Sequence, residues 1–362
     1  MIIEMVAPAL VIGGMEVFIE RLCVALRERG HDVGVSCLYG KGPVFERLKD
    51  AGFDVSLTPV PGTLRTFWPR RLVHRLRMRR AEVVHAHSGS FLKAAIAARL
   101  AGCPTTVLTH HGLMGDEGWY EHWHLRQSSR LADSTVAVSA PLRAYLGDVA
   151  GISGPRLLHI ANGVDLTDFA RQPQSTLQAR ATLGLPEQAV VACCVARLVP
   201  VKRHDLLLQA FDRVARQRPD FHLLIAGDGP LATTLQEQAA GLASGSRVRF
   251  LGAVADPRPV LWASDLFVLC SDSEGQPMAL LEAMAAGCAP VISAVGGMPD
   301  TVGPDGGVQV APGNLDVLAR EIEVLVTDAL NRQNLAECAR RRSEVFDFRF
   351  TVSSYEGLYG EP

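Results

Sequence analysis

The chain has 362 residues, which at roughly 150 residues per domain suggests two domains. Lys plus Arg total 36 against 38 Asp plus Glu, a formal net charge of −2 that lacks the basic footprint of a general nucleic-acid binder. Hydrophobic residues make up 48% and charged residues 20%, as in a soluble globular protein, and the longest apolar run, AVVACCVA (189–196), is well short of the ~18 residues that cross a bilayer.

The amino terminus, MIIEMVAPAL, has no basic region and no signal-peptide layout, so a cytoplasmic location is expected. IIEMV (2–6) reads as a strand, followed by a helix from Gly14 to Arg29 with Met15, Phe18, Leu22 and Ala25 on one face. Further strands are expected at DVGVSCL (32–38), FDVSLTPV (53–60), EVVHAH (82–87), TTVLTH (105–110) and STVAVS (134–139), and PRLLHIANGVD (155–165) ends this half. A second series begins at AVVACCV (189–195) and continues through FHLLIAG (221–227), RVRFLG (247–252), LFVLC (266–270), APVISA (289–294) and GVQVAP (307–312). Nearly continuous apolar strands separated by amphipathic helices indicate parallel sheets covered on both faces. Two such series make two doubly wound α/β domains, with a boundary in the Gln-, Pro-, Thr- and Asn-rich stretch 161–187. The eight cysteines have no CxxC spacing and mostly fall in apolar runs, so buried thiols are expected rather than disulfides or a zinc site.

Open α/β sheets bind ligands at the carboxyl ends of their strands, and polar or glycine-rich residues follow the strands in both halves. VIGGMEVF (11–18) places two glycines between a strand and a helix, where backbone N–H groups approach an anion; a ligand-free tight turn reads equally well. ARLVPVKRHD (196–205) carries Arg197 and Lys202 directly after a strand, which suits a diphosphate better than a solvated surface pair. In SDSEGQPMALLEAMAAGCAPVI (271–292), Glu274 lies in a loop and Glu282 inside the following helix. A carboxylate offers two acceptor oxygens to paired sugar hydroxyls, and the apolar run Met278–Ala286 puts Glu282 in a buried setting.

The spacing E-x7-E with EGQP…LLEAMAAG, together with ARLVPVK, LLIAGDGPL, RVRFLG, VGG (295–297) and NGVD (162–165), resembles the retaining glycosyltransferases of family 4, also called group 1. GGMEVF and THHG (109–112) look like the same family's glycine turn and histidine. The resemblance implies a GT-B fold, two Rossmann-like parallel-sheet domains facing a central cleft. Residues 1–165 would form the acceptor-side domain and 166–345 the nucleotide-sugar domain, with 346–362 crossing back to the first. It implies transfer of a sugar from a UDP- or GDP-linked donor to a saccharide, lipid-linked or small-molecule acceptor, with retention of configuration. Arg197 and Lys202 would grip the diphosphate, with Gly13 and Gly14 meeting it from the other domain. Glu282 would hold the ribose, and Phe250 and Leu251 would lie near the base. Glu274 and the backbone of Gly275, Gln276, Pro277 and Met278 would hold the sugar, with His111 near the reacting carbon. The doubled His110–His111 leaves that register open by one. Ala196 and Arg203 stand where the family often has glycine, and Gln276 where it often has phenylalanine. With no Asp-x-Asp motif and two cations for the leaving group, no metal is expected.

RTFWPRRLVHRLRMRR (65–80) holds seven arginines and no acid, with Trp68, Leu72, Val73, Leu76 and Met78 supplying apolar surface. It reads as a solvated helix face before EVVHAH or, alternatively, as a peripheral contact with an anionic inner membrane face. IAGDGPLA (225–232) also fits the G-x-G-x-x-A pattern of an NAD-dependent oxidoreductase, but no acid ends the next strand. A sugar-nucleotide epimerase or a phosphorylase on the same fold is the other alternative. HHGLMGDEGWYEHWHLR (110–126), with Trp119, Tyr120 and Trp123, is the most distinctive stretch for acceptor recognition.

Overall fold

The computed structural model describes residues 1–60, 68–112, 118–152 and 154–360. Part of the arginine-rich stretch (65–67) and part of the 110–126 stretch (113–117) lie outside the described residues. The chain forms two compact units, Met1–Asn162 with the chain from Arg349 onward, and Gly163–Phe348.

In the first unit the strands are β1 (Ile2–Ala7), β2 (Asp32–Cys37), β3 (Asp54–Leu57), β4 (Val83–His87), β5 (Thr105–His110), β6 (Ser134–Ala137) and β7 (Leu157–His159). They form one parallel sheet in the order β3-β2-β1-β4-β5-β6-β7. In the second unit, β8 (Val190–Val195), β9 (Phe221–Ala226), β10 (Val248–Phe250), β11 (Leu266–Leu269), β12 (Ala289–Ser293) and β13 (Val308–Val310) run parallel in the order β10-β9-β8-β11-β12-β13. Every strand expected from the apolar runs forms. Val83–His87 is buried along its whole length because helices cover both sheet faces. In each sheet the order reverses beside the first strand, between β1 and β4 and between β8 and β11. At such a reversal the connections from neighbouring strands run in opposite directions, which is where open α/β sheets take their ligands.

Helix Gly14–Glu28 buries Phe18, Ile19, Leu22, Cys23 and Leu26. This corrects the expected face: Met15 and Ala25 sit half-buried at its margins, because the doublets 18/19 and 22/23 centre a wider stripe one position along. The eight cysteines are free thiols, six buried and two, Cys103 and Cys338, half-buried.

Helix Arg70–Arg79 also departs from the simple picture of a solvated basic face. Leu72 and Leu76 are buried, while Trp68 and Met78 are exposed. Arg75 and Arg79 turn inward to Glu4 of β1, a fully buried carboxylate. Arg75 Nε donates to Glu4 Oε1 at 2.5 Å, Arg79 Nε lies 3.0 Å from Oε2, and Ser36 Oγ donates to Oε1 at 2.6 Å. Gly34 of β2 leaves room for this pairing, since a Cβ there would stand 2.5 Å from Glu4 Oε2. Burial drives the Glu4 pKa up, and the two guanidiniums only partly offset it. Arg79 also reaches Asp32 and Asp54, and Arg75 reaches Asp54.

Helix Phe348–Tyr359 carries the chain back onto the first sheet, where Tyr355 and Tyr359 are buried. Glu356 accepts from Arg29 and lies 2.9 Å from His31 Nε2. Among the described residues no helix is long and apolar enough to cross a membrane.

Arg75→Met is expected to destabilise the protein by an amount near the lower end of roughly 3–5 kcal/mol, because it strips a buried carboxylate of one of two cations. Adding Glu4→Gln should recover part of that loss. Urea unfolding midpoints of the single and double variants measure both effects.

Candidate functional site

At the switch point of the second sheet, the loop after β8 carries Arg197 and Lys202, and the loop after β11 carries Glu274. Lys202 Nζ donates to Glu274 Oε1 at 2.5 Å, and Ser271 Oγ donates to the same oxygen at 2.6 Å. Both partners of the ion pair are largely buried, with 17% and 8% of their side chains exposed, so solvent screens them little. Glu274 Oε2 makes no hydrogen bond among the described residues. Arg197 is exposed, and its guanidinium has no hydrogen bond or ion pair among the described residues.

The lysine loop is held from below. Ala196 N–H donates to Ala226 O, Leu198 N–H to Asp228 O and Leu231 N–H to Leu198 O, at 2.9–3.1 Å. The two segments approach so closely that a Cβ on Gly227 would stand 1.9 Å from Ala196 O, and Gly227 has φ +150°. The glycines of IAGDGPLA therefore serve this backbone packing, which accounts for the oxidoreductase-like spacing. Arg203 adopts φ 51°, the left-handed region, and its side chain pairs with Asp205 and Asp272. A glycine is the natural occupant of such a backbone.

Gly275 and Gln276 are buried, Gly297 N–H donates to Gly275 O at 2.7 Å, and Gln276 Nε2 donates to Thr301 Oγ1 at 3.2 Å. Pro277 precedes helix Met278–Ala285, whose Met278 and Glu282 are 5% and 4% exposed. Phe250 and Leu251 lie at the end of β10, two strands from β8, half-buried against the core.

In the first unit, Gly13 precedes helix Gly14–Glu28, and its carbonyl accepts from Val17 N–H at 3.0 Å. Phe18, one turn on, meets the ring of His111 with centroids 5.2 Å apart. His111 Nε2 lies 3.0 Å from His87 Nδ1, and its backbone N–H donates to Ser88 Oγ. His110 stacks on Phe91 at 4.1 Å instead. The two adjacent histidines thus belong to different environments, and only His111 joins the cluster of His85, His87 and Phe18. His85 completes that cluster, 2.7 Å from both Tyr359 OH and Thr109 Oγ1. Burial holds His85, His110 and His111 near pKa 3 and His87 also well below its ordinary value, with neighbouring imidazoles adding to the effect on all but His111.

The structure brings together Lys202 and Glu274, and places His111 beside the helix that opens at Gly14. Sequence reasoning missed Ser271, which shares the Glu274 oxygen, and His87, which contacts His111. Two signals were present: serine three residues before the acid, and His85 and His87 two apart on a strand and hence on one face. Among the described residues no group of three or more His, Cys, Asp or Glu could hold a metal ion.

The model of the family described as glycosyl transferases group 1 matches residues 176–342, and that of glycosyltransferase family 4 matches residues 12–168. The chain is 31% identical over 260 residues to a GDP-mannose-dependent monoacylated alpha-(1-6)-phosphatidylinositol monomannoside mannosyltransferase of Corynebacterium glutamicum, covering 68% of this chain and 67% of that protein. A related GDP-mannose-dependent mannosyltransferase of Mycolicibacterium smegmatis is 35% identical over 57% of this chain, which spans 56% of its length. Among solved structures, Anabaena HepE in complex with UDP-glucose superposes with a TM-score of 0.86 at 22% identity, covering 100% of both chains, and establishes a GT-B fold.

Stability is expected to fall as pH drops below about 6.5, where unfolded histidines begin to protonate while the buried ones remain neutral. His85, His87, His110 and His111 each add up to one proton taken up on unfolding, and this contribution is present above that pH and lost below it. Melting temperature measured between pH 7 and 5, above the carboxylate range, reads the slope. Gly227→Ala should destabilise by more than about 1 kcal/mol and loosen the 196–202 loop, read by thermal unfolding.

Proposed function

The chain belongs to the group 1, family 4 glycosyltransferases, and within that family we propose that Arg197 and Lys202 bind the diphosphate of a nucleotide sugar while Glu274 holds the sugar to be transferred. The observation that carries this reading is the Lys202–Glu274 pair, 2.5 Å apart where the second sheet's order reverses. Cleaving a glycosyl–phosphate bond builds negative charge on the leaving diphosphate. Cations fixed beforehand stabilise that charge more in the transition state than in the ground state. Lys202 is oriented by Glu274, and Arg197 is open to solvent and available to an incoming phosphate.

Glu274 Oε1 is taken up by Lys202 and Ser271, which leaves Oε2 to accept from a sugar hydroxyl. The backbone of Gly275, Gln276, Pro277 and Met278 lines the same turn. Glu282 is assigned to the ribose hydroxyls, and Phe250 and Leu251 to the base. In the first unit, Gly13 and Gly14 are assigned to the diphosphate and His111 to the transferred sugar. With two cations for the leaving group the reaction proceeds without a metal, and configuration at the anomeric carbon is retained. The donor is UDP- or GDP-linked.

The relatives' names support a phosphorylated or lipid-linked acceptor: two act on phosphatidylinositol mannosides and one, from Escherichia coli, on a sugar-diphosphoundecaprenol. Peripheral contact with anionic lipid is the finer reading of the arginine helix. Arg70, Arg71 and Arg80 are exposed beside Trp68 and Met78, whereas Arg75 and Arg79 are committed to Glu4. Flotation with anionic vesicles at low salt tests it, and absence of binding removes it.

Arg197→Ala should weaken UDP or GDP binding about 10- to 100-fold in calorimetry, the value of one charge-assisted hydrogen bond, with the melting temperature unchanged. Unaltered affinity would refute the diphosphate assignment. Glu274→Gln should lower kcat by roughly 100-fold. Turnover should survive EDTA, and NMR of the product's anomeric signal should report retention.

A further inference from the structure

His87, at the end of β4, and His111, just past β5, share a hydrogen bond whose direction the surroundings determine. Nδ1 of His87 and Nε2 of His111 are 3.0 Å apart. Both rings are neutral, so one nitrogen donates and the other accepts. Suppose first that His111 donates from Nε2. His87 must then carry its own proton on Nε2. That atom is sealed from solvent and has no hydrogen-bond partner among the described residues, in a ring packed between His85 at 4.3 Å and Phe18 at 6.3 Å. A sealed N–H without an acceptor is among the rarest defects in a folded protein. In the other arrangement His87 donates from Nδ1, and its sealed Nε2 holds only a lone pair. The second arrangement avoids the buried, unanswered donor.

His111 then accepts on Nε2 and must carry its proton on Nδ1, because the hydrogen bond made by one ring nitrogen sets the state of the other. Its Nδ1 makes no hydrogen bond among the described residues and is absent from the sealed, unpartnered atoms. The backbone N–H bond to Ser88 Oγ at 3.0 Å and the Phe18 ring at 5.2 Å hold the imidazole in place.

We infer that His87 is a positioning residue that locks His111 in the Nδ1–H tautomer, so that His111 offers the transferred sugar a fixed N–H donor rather than a base. The inference rests on the reading above that His111 meets that sugar. The group it would meet is an oxygen with a free lone pair, a sugar hydroxyl or ring oxygen. A neutral donor aimed there orients the sugar without adding a charge that would oppose the positive character developing at the anomeric carbon.

The test starts with the unmodified, uniformly 15N-labelled full-length protein. Long-range 1H–15N correlation spectra at pH 7 should show His111 with Nδ1 protonated and Nε2 unprotonated, assigned by loss of its signals in His111→Ala. A proton on His111 Nε2 overturns the inference. Two substitutions then read the role in turnover. His87→Asn places an amide N–H where Nδ1 was and should keep kcat within a few-fold of the parent. His87→Leu removes the donor and should lower kcat about 10- to 100-fold, with the nucleotide Kd little changed and His111 shifted toward a mixture of tautomers. Equal kcat for the Asn and Leu variants, both folded by their melting curves, overturns the positioning role. If His111→Ala turns over like the parent, the assignment of His111 to the sugar fails, whatever the tautomer spectrum shows.

Discussion

An ammonium 2.5 Å from a carboxylate joins the two loops that diverge at the second sheet's switch point, and the chemistry assigned to this chain depends on that contact. Neither charge would be stable there alone, because both side chains are mostly withdrawn from water. Together they fix each other's rotamers, with Ser271 as a third anchor on the same oxygen. A lysine held in this way is already ordered, so an anion binding to it would cost less side-chain conformational entropy.

The scaffold beneath the pair is backbone to backbone. The 226–231 segment hydrogen-bonds to Ala196 and Leu198, and Gly227 allows the close approach. This fixes the start of the cation loop on the sheet. In the cation loop Arg203 adopts a left-handed conformation, which its salt bridges to Asp205 and Asp272 help to hold.

The first unit solves a different problem. Its sheet buries polar groups, among them Glu4 on β1 and His85 on β4, and both of these are answered by residues distant in sequence. Arg75 and Arg79 answer Glu4 from a helix some seventy residues on. Tyr359 and, through Thr109, Tyr355 answer His85 from the last helix, which ties the chain's end to the first sheet. Keeping the imidazoles neutral makes them hydrogen-bonding groups rather than charges.

The sequence by itself determined the two parallel sheets, because strands buried on both faces must be apolar nearly throughout, and that pattern is visible without any tertiary information. Glycine and charge following a strand also marked Arg197, Lys202 and Glu274 as candidates on carboxyl-edge loops, and His111 entered only through the family resemblance. The sequence did not reveal that Lys202 and Glu274 are partners, because 72 residues separate them and only the adjacency of β8 and β11 brings their loops together. Nor did it distinguish His110, the last residue of β5, from His111, just past the strand, whose rings meet different partners, or separate the buried arginines of helix 70–79 from the exposed ones. Those outcomes depend on which groups face one another across the packed sheets, and one-dimensional periodicity carries the face of a residue but not the identity of its partner.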